Sequence, residues 1–147
     1  MPLKVNLSPK QAAAVNSDAD LVIFGGGNGG GKTFCLQMIP LLPEYQRTAG
    51  CQSVIFAESD RKLEMAGGLA DKCKLYYSQA HPLGLEGFRQ SPRKRWSFPA
   101  KGGGSATVDL SYVGEPGQWD GLEAAVICID QIEQVTDKQA WSVFGRN

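Results

Sequence analysis

The chain carries no net charge: fifteen Lys and Arg balance fifteen Asp and Glu over 147 residues. A protein that coats nucleic acid over its whole surface is strongly basic, so any such contact here has to be local. There is a single histidine, and the four cysteines (Cys35, Cys51, Cys73, Cys128) form no C-x-x-C pair. That combination argues against a zinc site. No apolar run approaches the length needed to span a bilayer, and Met1–Gln11 lacks the apolar stretch of a secretory leader. No internal repeat is present, and the only low-complexity stretches are two glycine runs. Hydrophobic residues at 42% place the composition among soluble globular chains, and the length suits one domain with a real core. The cysteine usage fits a reducing cytoplasm.

What the chain has in abundance is glycine at one place. Leu21–Thr33 reads LVIFGGGNGGGKT, an apolar run that enters a glycine-rich loop and leaves it through a lysine and a threonine. Gly26, Gly31, Lys32 and Thr33 fit G-x-x-x-x-G-K-[ST], the phosphate-binding loop between a strand and a helix. A triphosphate needs many backbone N–H groups converging on it, and side chains at Gly26, Gly27, Gly29, Gly30 or Gly31 would block that approach. Asn28 sits within the same cradle. The following helix offers free N–H groups and its positive dipole end to the same oxygens. Lys32 then reaches the β- and γ-phosphates, and the Thr33 hydroxyl completes a Mg²⁺ shell. The expected ligand is Mg²⁺-ATP.

Around this loop the pattern alternates. Ser8 caps a short helix with Pro9 in its first position, and Asn16-Ser17-Asp18 ends it before a strand at Leu21–Phe24. Lys32–Ile39 reads as a helix ended by Pro40 and Pro43. Ser53–Ala57 is a second strand, Leu63–Lys74 a helix weakened by Gly67-Gly68, and Tyr76–Gln90 a loop. His81, before Pro82, reads as an exposed turn residue. Arg95–Pro99 and Ala106–Val113 alternate as a hairpin around the Lys101–Ser105 turn. Ala124–Ile129 is a buried parallel strand by composition, and Asp137 caps a final helix to about Phe144. Trp119, Trp141 and Phe144 read as core or partner contacts. The sum is an α/β fold with a mainly parallel sheet flanked by helices and an inserted β-hairpin. Asp130 ends the last strand, at the edge where an acidic side chain faces the phosphate loop and holds Mg²⁺ through water opposite Thr33.

These pieces together resemble the N-terminal ATPase domain of the large terminase subunit of tailed phages, the motor that packages DNA. The resembling stretches are LSPKQ, GGGNGGGKT, ESDRKLEMAGGLADKCKLYY, FPAKGGGSATVDLSYVGEP and WDGLEAAVICIDQIEQVTDKQ, in the family's order. The resemblance implies an additional-strand, RecA-like P-loop NTPase fold, with Gln11 against the adenine and Arg61 or Arg146 as arginine finger. It implies ATP hydrolysis coupled to translocation of double-stranded DNA into a procapsid, in the host cytoplasm. Implied partners are the portal protein, the small terminase subunit and further copies of the chain in a homo-oligomeric ring, with no membrane. The only basic cluster with an aromatic, Arg89–Trp96, is the expected place for weak DNA phosphate contacts; a solvated loop is the alternative.

Two departures from the family qualify this. The family has Asp-Glu where this chain has Asp130-Gln131; Gln131 can orient a water but cannot accept its proton. Glu133 is the first candidate to replace the missing base, with Glu123 and Glu115 behind it. The family's later strand, coupling motif and nuclease domain have no counterpart here, so the chain reads as an incomplete ATPase domain without nuclease activity. The alternatives are a nucleotide-binding but hydrolytically silent fragment or assembly module, and a stand-alone P-loop NTPase or nucleotide kinase.

Overall fold

Gln52–Ala57 (β1) is buried at every position after the first, so it has to be covered on both faces and paired on both edges. The computed structural model, which describes residues 5–25, 31–115, 118–119 and 122–144, meets both demands. β1 pairs in parallel with Ser105–Tyr112 (β4) on one side and with Val126–Ile129 (β5) on the other. Lys94–Pro99 (β3) runs antiparallel to β4, and the two-residue Phe88–Arg89 (β2) antiparallel to β3. The strand order is β2-β3-β4-β1-β5. The sheet is therefore mixed, not mainly parallel. The reason is β4, which pairs in parallel with β1 along one edge and antiparallel with β3 along the other, so the hairpin is part of the sheet and not an insertion on it.

Helices cover both faces. They are Pro9–Val15 (α1), Lys32–Met38 (α2), Pro43–Gln46 (α3), Asp60–Glu64 (α4), Leu69–Ala80 (α5) and Asp137–Phe144 (α6). On one face Ile55, Val108 and Cys128 meet Leu63 of α4 and Leu69, Cys73 and Tyr77 of α5. Leu36 of α2 packs against the same cluster. On the other face Val54 and Phe56 lie beneath Val113 and Val143, the latter from α6, with half-buried Trp119 at the margin. Trp119 meets Phe56 edge to face at 4.9 Å and donates its indole N–H to Tyr112 and Val113 carbonyls.

Several local expectations are met. Ser8 caps α1, with Pro9 in the first turn, and Gln11 closes a capping box. Pro40 falls in a 3₁₀ turn directly after α2, and Pro43 opens α3. The final helix is present, but Thr136 caps it: the Gln139 N–H donates to the Thr136 hydroxyl at 3.2 Å. Asp137 occupies the first turn instead, where its charge favours the dipole.

Other expectations are corrected. Leu21–Phe24 is not a strand; Leu21, Val22 and Ile23 are 54%, 43% and 76% exposed. A buried parallel strand needs neighbours on both edges; among the described residues the sheet ends at β2 and β5, and Leu21–Phe24 pairs with neither. β5 is thus an edge strand, with Cys128 alone in it buried. The expected helix over 63–74 divides into α4 and α5, because Met65 is extended and Gly67-Gly68 is a poor helical pair. The expected loop over 76–90 begins with the last five residues of α5, Tyr76–Ala80. Tyr77 holds them: it is fully buried, meets Trp96 and Phe98 edge to face, and donates its hydroxyl to the Gln37 carbonyl at 2.6 Å.

His81 is buried and not an exposed turn residue, at 7% exposure. Its ring lies 5.1 Å from that of Phe98, its Nε2 is 2.6 Å from the Ser97 carbonyl, and its Nδ1 accepts the Leu83 N–H at 3.0 Å. A neutral imidazole with the proton on Nε2 satisfies both contacts. Gly87 closes over the ring, and a Cβ there would lie 2.4 Å from three of its atoms. Gly87→Ala is expected to cost about 1–3 kcal/mol of stability through overpacking, read as a lower urea midpoint. An unchanged midpoint would mean that this turn does not clamp the imidazole.

Candidate functional site

Thr33 and Asp130 stand 97 residues apart in sequence, and the Thr33 hydroxyl donates to Asp130 Oδ1 at 2.9 Å. Each is placed by its element. Thr33 is the second residue of α2. Asp130 follows β5, and its N–H donates to the Phe56 carbonyl at 2.9 Å, extending the ladder one residue beyond the strand. The chain then turns abruptly. Gln131 has φ 54° and ψ 51°, the one positive φ outside glycine among the described residues. Such a conformation is sparsely populated and persists where the surroundings impose it, as active sites often do.

Two hard oxygens at this spacing suit a small divalent cation. Adjacent corners of a Mg²⁺ octahedron with arms of about 2.0–2.1 Å lie about 2.9 Å apart. Among the described residues no three His, Cys, Asp or Glu side chains converge as a metal cage. Thr33 and Asp130 could hold Mg²⁺ only together with waters and phosphate oxygens, which is how that ion is ordinarily bound.

The start of α2 is tied to α1. Gln11 Nε2 donates to the Gly31 carbonyl at 3.2 Å, and the Cys35 thiol reaches the Gln11 carbonyl. The other end of the Gln11 amide accepts the Ser8 N–H at 2.9 Å. Gly31 is left-handed at φ 70°, and a Cβ there would lie 2.3 Å from Gln11 Nε2. A larger residue there would have to adopt a left-handed backbone and displace the Gln11 amide. Lys32 heads α2 and is half-buried. Gly26, Gly27, Asn28, Gly29, Gly30 and Arg146 lie outside the described residues.

The remaining expected residues are spread out. Glu133 is exposed in the 3₁₀ turn over Ile132–Gln134. Glu123 is exposed at the opposite end of β5 from Asp130, and Glu115 and Arg61 are also exposed. Of the basic cluster, Arg95 is held by buried Asp109 through Nε–Oδ1 at 2.5 Å and Nη2–Oδ2 at 2.9 Å, which raises the guanidinium pKa further. Lys94 pairs with Glu64. Arg89 and Arg93 are exposed, with Arg93 3.9 Å from Asp109.

Two cavities lie near these elements. The larger, about 380 Å³, sits against α1 and the end of α2, lined by Leu7, Val15, Met38 and Leu42 among others. No charged side chain lines it, so it suits apolar groups and not phosphate. The smaller, about 110 Å³, lies at the ends of β1 and β5 and is lined by Glu58, Lys62, Gly68, Lys72, Asp130 and Gln131, among others. Glu58, Lys62 and Lys72 were not among the expected site residues. Glu58 directly follows β1, Lys62 lies in α4 and Lys72 in α5, and the sheet order, which local pattern does not reveal, brings them beside Asp130. Comparison with protein-family models, with curated proteins and with solved structures gives no match.

The thiols near the site are structural. Burial pushes Cys73 and Cys128 up to about 12, and Cys35 is raised for the same reason. The thiolate is the reactive species, so these groups are protonated and inert at neutral pH. Cys51 alone is not buried. Titration of the native protein with a disulfide reagent at about pH 8 is expected to modify one thiol, and all four only after unfolding; rapid reaction of three or more would contradict the burial.

Proposed function

We propose that this chain is an ATP-binding and ATP-hydrolysing motor domain of the terminase type, acting with Mg²⁺ and driving double-stranded DNA into a procapsid. The observation that carries the nucleotide reading is the 2.9 Å contact between Thr33 Oγ1 and Asp130 Oδ1. It unites the threonine of a G-x-x-x-x-G-K-T loop with the acidic residue ending a parallel strand, two features read from sequence for separate reasons. The motor assignment rests on the order of the resembling segments, and portal protein, small subunit and ring assembly follow from it.

In this reading Lys32 sets a point charge against the β- and γ-phosphates, and Thr33 with Asp130 would hold Mg²⁺ beside them. The ion, when bound, neutralises charge developing on the phosphate oxygens. Gln131, fixed in its left-handed conformation directly after Asp130, orients the attacking water through its amide. DNA contact falls to the exposed Arg89 and Arg93, since Arg95 and Lys94 are engaged by Asp109 and Glu64. A second reading, a nucleotide-binding module without turnover, is favoured by one observation: the residue after Asp130 is an amide and not a carboxylate.

Lys32→Ala tests the nucleotide reading. Loss of a charge-assisted bond of about 1.5–3 kcal/mol is expected to weaken Mg²⁺-ATP binding about 10- to 150-fold by calorimetry. Equal affinity in the two proteins would exclude a phosphate site at this loop.

A further inference from the structure

The hydrolytic reading leaves one chemical role empty: Gln131 has no basic oxygen to take a proton from the attacking water. The ladder between β1 and β5 ends at Phe56 and Ile129, so Glu58, directly after β1, and Gln131, two residues after β5, leave the same end of the sheet. The Asp130 N–H bond to the Phe56 carbonyl shows the two chains still in step at that point. Glu58 and Gln131 both line the cavity of about 110 Å³ with Asp130. Glu58 and Asp130 are the carboxylates of that lining, and Asp130 is engaged by Thr33. Glu58 is half-buried and, among the described residues, accepts a long 3.3 Å contact from its neighbour Ser59. A carboxylate has about four lone-pair sites, so acceptor capacity remains for a water. Glu133, the replacement suggested by sequence proximity, is exposed and does not line the cavity.

We propose that Glu58 is the general base of the reaction, supplying from the neighbouring strand the carboxylate that Gln131 lacks. The proposal rests on reading Lys32, Thr33 and Asp130 as a nucleoside-triphosphate site. The water oxygen forms a bond to the γ-phosphorus as the bond from that phosphorus to the β–γ bridging oxygen breaks. The electron pair of the broken bond leaves with the nucleoside diphosphate, the water proton passes to a Glu58 carboxylate oxygen, and from there it returns to solvent. Gln131 orients the water, so the two side chains divide between them what a single glutamate does elsewhere. Lys62 and Lys72, on the same cavity wall, carry the positive charge that an incoming γ-phosphate would meet.

The test is single-turnover hydrolysis with ATP affinity measured alongside by calorimetry. Glu58→Gln is expected to slow hydrolysis by about 10²–10⁴ and leave ATP affinity unchanged, as loss of a general base does. Glu58→Asp should recover part of the rate. Adding Gln131→Glu to Glu58→Gln should also recover turnover, because the carboxylate is returned to the same cavity from the other strand. A Glu58→Gln protein that binds ATP and hydrolyses it at the wild-type rate overturns the proposal while leaving the nucleotide site standing. Wild-type protein that binds ATP without hydrolysing it overturns the base as well. Wild-type protein that binds no ATP overturns the site and the base together.

Discussion

Parallel pairing of β1 with a strand on each side is the constraint from which the rest of the arrangement follows. A strand buried from Ser53 to Ala57 cannot turn either face or either edge to water. β4 and β5 take the edges, α4 and α5 cover one face, and α6 with Val113, Trp119 and Leu122 covers the other. Because all three strands run the same way, their C-terminal ends open on one side of the sheet. That is where Glu58, Asp130 and the start of α2 meet, at the edge where ligands bind in open α/β sheets.

Charge is arranged with the same economy. Asp109 is buried in β4 and would be strongly unfavourable alone; Arg95 on the neighbouring strand satisfies both its oxygens, and Gln52 Nε2 adds a bond at 3.1 Å. A stretch that looks like a basic patch in sequence is thus partly a structural ion pair holding β3 to β4. The charge left for a polyanion is smaller than the run Arg93-Lys94-Arg95 suggests, in keeping with a chain of zero net charge.

Sequence pattern identified what depends on local chemistry. Ser8 and Pro9 announced α1, Ser53–Ala57 announced a strand, and the alternation around Trp96 and Val108 announced the hairpin. Thr33 and Asp130 were named as partners before any geometry, and they are hydrogen-bonded. What local pattern could not carry was pairing. Leu21–Phe24 has strand composition, yet strand formation depends on available neighbours, and Leu21, Val22 and Ile23 are exposed. His81 looked like a turn residue because its burial comes from Phe98 and Gly87, neither of them adjacent to it in sequence. Glu58 was invisible as a site residue because only the pairing of β1 with β5 brings it into one cavity with Asp130 and Gln131.

The account stands on Asp130 and Thr33 forming a cation-dependent nucleotide site. Its most direct test is calorimetry of ATP binding with Mg²⁺ and with chelator, on wild-type protein and on folded Asp130→Ala. The account predicts that Mg²⁺ strengthens ATP binding to the wild type and that this gain disappears in Asp130→Ala. An equal gain in both proteins would contradict it, because the ion would then be bound without the residue that is said to hold it.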